Sequence, residues 1–156
     1  MTVTARSMVH DTKTVWDKVS GTISVDPADP AAGATATITV DMRAFDAGDR
    51  LKNWKLKSDL EPDKHPTATF TLAGLTIGSQ AGARVDNATA KGRLAWRGRQ
   101  ADVVAAGAGT LETARVDAEA RFELDVRTLG VEPPKILMIK VDPTVSVVVS
   151  LAARAS

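Results

Sequence analysis

The side chains of this chain that could carry chemistry are two histidines, nineteen carboxylates and three tryptophans; it has no cysteine. His10 stands beside Asp11, and His65 precedes Pro66. Zinc requires three or four convergent ligands, and no spacing of histidine, cysteine and aspartate in the sequence supplies them. We therefore predict no metal site and no cofactor, and we expect His65 to have a packing role where a strand begins.

The carboxylates do not follow a pattern typical of a catalytic site. Asp117, Glu119, Glu123 and Asp125 alternate with apolar residues, which puts them on the outer, solvated face of a strand. The sequence also lacks the Gly-x-Ser-x-Gly elbow, a phosphate-binding loop and a dinucleotide fingerprint. We predict a protein that is not an enzyme, and a hydrolase or isomerase of small apolar substrates is the minor alternative.

The composition argues against several other functions. Lysine and arginine number 20 against 19 aspartate and glutamate, and aromatic residues are only 4% of the chain. Without a basic run or a platform of stacking rings, a nucleic-acid partner is not expected. No apolar run approaches the ~20 residues of a membrane-spanning helix. The N-terminus has no apolar signal segment, so the chain as written is expected to be cytoplasmic or a mature domain restarted with a methionine.

Apolar and polar residues alternate along much of the chain, most clearly at residues 35–42, 67–72 and 116–126. A strand places such apolar residues on one side, whereas a helix would scatter them around its axis. A sheet with one apolar face and one solvent-exposed face is typically antiparallel. Turn residues separate the runs at 26–33, 78–82, 97–100 and 142–143. We count about eight strands, as in a barrel or a sandwich, in one domain that covers residues 1–156.

The segment 46–64 breaks this pattern because it is rich in charge. Asp49 could cap a short helix, in which Leu51 and Trp54 would share a face. We predict one or two helical turns that end before Pro62 and cover an opening in the β-structure. An ordinary surface connection is the alternative.

The face of the strands that points inward contains many small residues. Eight strands enclose an interior that side chains just fill, or that holds one small ligand when they do not. The small residues could therefore line an apolar slot, or they could accommodate the taper of a filled barrel. By alternation the small inward residues are Ala34, Ala36, Ala88, Ala90, Gly92, Ala118 and Ala120, and the larger ones are Ile38, Val40, Leu94, Trp96 and Phe122.

Four stretches, at residues 37–49, 56–58, 65–70 and 92–98, resemble in their order and spacing the motifs of the YceI-like domain family. Members of this family are bacterial lipocalin-like proteins associated with polyisoprenoid binding. The resemblance implies an all-β fold: an eight-stranded antiparallel lipocalin-like β-barrel with one or two short helices in the 46–64 connection. It also implies an isoprenoid or fatty chain in the lumen, a homodimer, and a location that is often periplasmic or secreted.

The sequence departs from the family at polar positions. Where the family has an Arg-Asp pair and a His, this chain has Lys52, Asn53 and Lys55. Arg97 stands in place of another family His. Of the family motif that corresponds to residues 125–130, only Gly130 remains. Contacts to a ligand head group therefore do not carry over, whereas the apolar lining depends on the pattern of the strands.

We predict binding of a long apolar or amphiphilic ligand in the lumen, for carriage or storage. The alternative is a packed barrel that acts as a protein-interaction or stress-response module.

Trp16 falls near the end of the first strand region, and the core of the sheet is assigned to Leu137, Ile139, Val145, Val147 and Val149. The tryptophans could instead be core anchors. The predicted ligand-lining residues are Trp54, Leu56, Phe70, Leu72, Ala90, Leu94, Trp96, Ala118, Phe122 and Leu124.

Overall fold

The computed structural model describes residues 1–7, 12–132, 135–136 and 139–155. In these residues the chain forms eleven β-strands, one α-helix and one short 3₁₀ helix. The helix α1 spans Arg50–Leu60, and the 3₁₀ helix spans Val126–Leu129. The strands are β1 (Thr2–Ser7), β2 (Thr12–Trp16), β3 (Val19–Ser24), β4 (Thr35–Asp41), β5 (Phe45–Asp46), β6 (Thr67–Ala81), β7 (Arg84–Trp96), β8 (Arg99–Glu112), β9 (Arg115–Asp125), β10 (Lys135–Ile136) and β11 (Ile139–Arg154).

The strands pair in one antiparallel path, in the order β3-β4-β6-β7-β8-β9-β11-β1-β2-β5, and β10 pairs with β11. Because only Asp17 and Lys18 separate β2 from β3, the two ends of the path come together and the sheet curls round its apolar face. Beyond Val148, β11 keeps β9 as its partner and approaches β3 without a described pairing. The fold is the expected lipocalin-like β-barrel, and in its described residues β3 and β11 are in contact without being paired.

The register of β9 shows how alternation positions the apolar residues. Phe122 lies opposite Val147 of β11, and Ala120 lies between Gly107 of β8 and Val149 of β11. Their neighbours Glu119, Arg121 and Glu123 are exposed on the other side. Because side chains alternate between the faces of a strand, the same register repeated across the sheet collects the apolar side chains inside.

The strand count and several boundaries differ from the sequence-based expectation. The eight strands become eleven because β5 and β10 are two-residue strands and the N-terminal region is divided into β1, β2 and β3. β6 extends to Ala81, into the turn expected at residues 78–82, and β8 runs through Gly107 and Gly109 to Glu112. Leu137, which was assigned to the core of the sheet, lies outside the described residues, as do His10 and Asp11.

Asp142 and Pro143 do not end a strand as predicted, because β11 continues through them. Ala5 pairs with Val145 while Ser7 pairs with Val141, so the three residues between Val141 and Val145 form a bulge. The Asp142 carboxylate accepts a hydrogen bond from the Thr144 amide at 2.8 Å. A bulge tolerates proline because the ladder is already interrupted there.

Helix α1 is three turns long, rather than the one or two predicted. The Asp49 side chain caps its N-terminus by accepting a hydrogen bond from the Lys52 amide at 2.8 Å, as the sequence indicates. At the other end Glu61 adopts a left-handed conformation and its amide donates to the Lys57 carbonyl. The next residue, Pro62, is buried and cannot continue the helix. In the described part of the chain, no helix is both long and apolar enough to cross a membrane.

Gly21 in β3 occupies a position that other residues cannot adopt without strain. Its φ is +150°, and a Cβ atom there would collide with the Thr37 carbonyl oxygen of β4. We expect Gly21→Ala to lower the free energy of unfolding by about 1–3 kcal/mol. Urea denaturation measures this difference. Gly74→Ala in β6 is the matched control, because a Cβ at Gly74 meets nothing within 4 Å, and an equal loss in both variants would contradict the explanation.

Candidate functional site

The inner face of the curled sheet encloses an apolar cavity of about 340 Å³. Ligand pockets in proteins range from roughly 300 to 1,000 Å³, so this space is large enough for a small molecule. The lining is almost entirely hydrocarbon. Glu119 borders the cavity, but its side chain is exposed on the outer face of β9, where the carboxylate accepts a hydrogen bond from Arg121 at 2.8 Å. Strands β3, β4, β6, β7, β8, β9 and β11 all contribute to the wall.

At one end of the interior, which we call the packed end, the side chains are buried against one another. Trp16 is 4% exposed, Leu129 is 2% exposed, and Leu60 of α1 closes the same cluster. Leu56 and Phe45 are partly buried against it. The buried members of the packed end are Trp16, Val40, Met42, Leu60, Ala68, Trp96, Ala101, Leu129 and Val131.

The other end, which we call the hollow end, is not filled. From the packed end, β6 continues through Leu72 and Leu75 to Ile77, near the β6–β7 turn. These side chains point into the cavity but are only half-buried. An inward-facing residue in a filled core would be buried completely, so their partial exposure means that the interior itself is accessible. The half-buried lining of the hollow end includes Ile23, Leu75, Ile77, Ala88, Leu111 and Leu151.

The space at the hollow end arises from small residues on three adjacent strands. In the ladders, Ala90 of β7 lies opposite Ala105 of β8, and Ala88 lies opposite Gly107. Across the next ladder Gly107 lies opposite Ala120 of β9. All of these residues line the cavity. A wall with almost no side-chain volume therefore faces the larger side chains of β4, β6 and β11.

Eight of the ten residues predicted to line a ligand line this cavity: Phe70, Leu72, Ala90, Leu94, Trp96, Ala118, Phe122 and Leu124. Leu56 packs against the packed end but is not part of the lining. The prediction that Trp54 faces the interior is wrong, because its indole is 68% exposed. Leu51 and Trp54 do share a face of α1, but that face points outward, since Leu60 and Leu56 occupy the inner one. That the eight residues bind a ligand stays a prediction.

The polar atoms of the two buried indoles are already bonded to the backbone. Trp96 Nε1 donates to the His65 carbonyl at 2.8 Å, and Trp16 Nε1 donates to the Met42 carbonyl at 3.3 Å. The Arg97 guanidinium lies 5.5 Å from the centre of the Trp96 ring and donates to the Leu60 carbonyl at 2.7 Å. His65 thus contributes its backbone to the packed end, just before β6 begins. These contacts fix the two buried rings in the wall and leave neither of their N–H groups for a ligand.

Sequence reasoning missed the contribution of β8 to the cavity. Ala101, Val103 and Ala105 are buried, and Gly107 and Gly109 continue the same face. The alternation was obscured because the outward positions include the apolar residues Val104 and Ala106, so that both faces of this strand have similar hydropathy. Taking every second residue from Ala101 onward would have identified the residues of β8 that face the interior.

Charged side chains on the outside of the barrel form pairs between residues two or three positions apart in sequence. The Arg43 guanidinium lowers the pKa of Asp41 mainly through a side-chain hydrogen bond, and Arg127 lowers the pKa of Asp125 in the same way. A side-chain hydrogen bond from Lys64 lowers the pKa of Glu61. None of these three carboxylates lines the cavity. In the described ranges, no group of three histidines or carboxylates lies close enough together to hold a metal ion.

Comparison with known proteins gives a consistent picture. The model of the YceI-like domain family matches residues 1–153. The structure resembles that of BcnA from Burkholderia cenocepacia, with a TM-score of 0.77, 23% sequence identity, and coverage of 97% of this chain and 95% of that one. No similar sequence was found among curated proteins.

Two other solved structures share the fold. A polyisoprenoid-binding domain from Saccharophagus degradans, implicated in plant cell wall breakdown, has a TM-score of 0.74 and 17% identity, with coverage of 99% of this chain and 92% of that one. A YceI protein from Campylobacter jejuni has a TM-score of 0.70 and 14% identity, with coverage of 92% and 84%. At these identities the likeness shows the fold.

Proposed function

The chain belongs to the YceI-like domain family, and from that premise we propose that it binds one long apolar or amphiphilic molecule in its lumen, for carriage or storage. An isoprenoid or fatty chain is the ligand class that we favour. The whole chain would act as one binding domain, and it would work by holding the ligand rather than by changing it.

The observation that carries this proposal is the half-buried apolar wall of the hollow end. Leu75, Ile77 and Leu111 face a cavity of about 340 Å³ and are only partly buried. Apolar surface in contact with water costs roughly 25 cal/mol per Å², so an apolar ligand that covers this wall would gain that free energy. A filled barrel would have buried the same side chains against one another.

The chemistry of the lining favours a neutral hydrocarbon segment inside the cavity. Burying an ionised group without a partner is strongly unfavourable. The cavity has almost no polar side chain to compensate such a group, since the side chain of Glu119 lies on the outer face with Arg121. The polar part of an amphiphile would therefore remain near the opening at the hollow end. The description of the Saccharophagus degradans domain as polyisoprenoid-binding supports the same ligand class.

The alternative, a packed barrel that serves as an interaction or stress-response module, is less well supported. The packed end fits that alternative, because Trp16, Leu129 and their neighbours are buried against one another there. The hollow end does not fit that alternative, because its apolar lining would remain in contact with solvent without a ligand.

A chain-length series tests the proposal. We expect the affinity for linear primary alcohols, from octanol to tetradecanol, to rise about fourfold per methylene, because each buried CH₂ contributes about 0.8 kcal/mol. Isothermal titration calorimetry gives each dissociation constant. The matching carboxylates at pH 7 are the control, and we expect them to bind no more tightly than the alcohols. Affinity that does not depend on chain length, or no binding by the longest alcohol, would exclude lumenal binding.

A further inference from the structure

The outward side of α1 exposes two large apolar residues that the fold does not use. Leu51 is 73% exposed and Trp54 is 68% exposed, whereas Leu60 on the inward side is 8% exposed. At 100° per residue, the exposed positions Arg50, Leu51, Trp54, Lys57 and Ser58 fall on one side of the helix. We call these five residues the outer face of α1.

The charges of the outer face have one sign. Arg50 and Lys57 flank the two apolar side chains, and the face contains no carboxylate. The carboxylate of α1, Asp59, lies on another side of the helix and is paired with Lys55 at 3.0 Å. Lys57 lies 3.7 Å from Asp63, in a pair whose side chains are 63% and 71% exposed. Solvent screens such a pair, so the lysine keeps its ability to attract an anionic surface.

We propose that the outer face of α1 docks this protein onto an anionic lipid bilayer. A tryptophan and a leucine flanked by cations form the pattern by which helices lie in the membrane interface: the apolar side chains enter the headgroup boundary and the cations contact acidic lipids. This proposal does not depend on what the lumen holds. Because Leu60 lines the cavity from the inner side of the same helix, docking sets the packed end against the bilayer.

A second copy of the chain fits this face less well than a bilayer does. In a two-fold dimer the same patch would meet itself. Arg50 and Lys57 of one copy would then approach Arg50 and Lys57 of the other, and like charges at an interface oppose association. Two apolar side chains also offer little area compared with the ~800 Å² per partner of a stable interface.

Vesicle binding tests the proposal, and Trp54 supplies the signal. Trp16 is 4% exposed and Trp96 is 8% exposed, so a blue shift in tryptophan fluorescence would report mainly on Trp54. With vesicles of equimolar phosphatidylcholine and phosphatidylglycerol at low salt, we expect co-sedimentation and a blue shift. Vesicles of phosphatidylcholine alone should bind far less. Salt should weaken the binding to the anionic vesicles.

Variants separate the apolar contribution of Trp54 from the electrostatic contribution of Arg50 and Lys57. Trp54→Ala should reduce the partition coefficient at least about tenfold, because the indole supplies most of the buried apolar area. Arg50→Gln combined with Lys57→Gln should reduce the partition coefficient about 30-fold, since each cation near an acidic surface contributes a factor of about five. Val104→Ala is the apolar control, at a residue 60% exposed on β8. Lys91→Gln combined with Arg154→Gln is the charge control, and both controls should bind like the parent.

Three results would overturn the proposal. They are an absence of sedimentation with anionic vesicles, equal binding to vesicles of phosphatidylcholine alone, and loss of binding in the control variants to the same degree as in the outer-face variants. A blue shift that grows with protein concentration in the absence of lipid would instead identify a second copy as the occupant of the face.

Discussion

Replacing Ala90 with leucine is expected to abolish most of the ligand binding while leaving the fold intact. Ala90 lies on the small-residue wall opposite Ala105, and its half-buried side chain faces the cavity. The added carbons would occupy space that a chain of about three methylenes would otherwise fill. At about 0.8 kcal/mol per methylene, the affinity for tetradecanol should fall about 50-fold. The free energy of unfolding should change by less than about 1 kcal/mol, because the leucine enters empty space.

Ala101→Leu is the matched control for this substitution. Ala101 is an alanine of the same sheet, but it is 4% exposed within the packed end and does not line the cavity. Enlarging a side chain in a filled core costs typically 1–3 kcal/mol. Urea denaturation and calorimetry on both variants give the comparison. If Ala90→Leu lost as much stability as Ala101→Leu and Ala90→Leu bound tetradecanol normally, the hollow end would not be a ligand site. Ala118→Leu, on the same wall, should behave like Ala90→Leu.

Trp96→Ala is expected to be the most destabilising of these changes. Trp96 is 8% exposed, belongs to the packed end, and donates its indole N–H to the His65 carbonyl. Truncation would remove a large buried ring and leave that carbonyl without its partner, at a cost of about 3–5 kcal/mol. For a chain of this size the midpoint of thermal unfolding should fall by roughly 6–20 °C. Circular dichroism during heating measures the shift.

Trp54→Ala provides the control for Trp96→Ala, because it removes the same side chain from an exposed position. With its indole 68% exposed, Trp54 contributes little buried area to the fold. Substitutions at such positions usually change stability by no more than about 0.5 kcal/mol. Equal destabilisation by Trp54→Ala and Trp96→Ala would mean that the assignment of inner and outer faces to α1 is wrong.

Much of the fold could be predicted from alternation alone. The inward side of β9, with Ala118, Ala120 and Phe122, follows from the two-residue period, because a strand has only two faces. The Asp49 cap of α1 was predictable for a similar reason, since a carboxylate before a helix meets free amides. Both features depend on neighbours in sequence.

The features that the sequence did not reveal depend on distant contacts. The direction of Trp54 was misjudged because an apolar pair on a helix normally faces the core, and only the packing of Leu60 shows which side of α1 does so. The continuation of β11 through Pro143 depends on a bulge against β1, a strand more than a hundred residues away. Whether the small residues of β7, β8 and β9 leave a void depends on the opposite wall, which no local pattern describes.

The most direct measurement of the central proposal is native mass spectrometry of the chain, purified gently and compared with a delipidated sample. We predict that the gently purified chain carries one apolar molecule, that delipidation removes it, and that adding a C15 or longer isoprenoid alcohol restores a single adduct. Ala101→Leu should retain the adduct and Ala90→Leu should lose it. A parent chain that appears only at its bare mass, and that takes up no isoprenoid alcohol when one is supplied, would contradict the proposal.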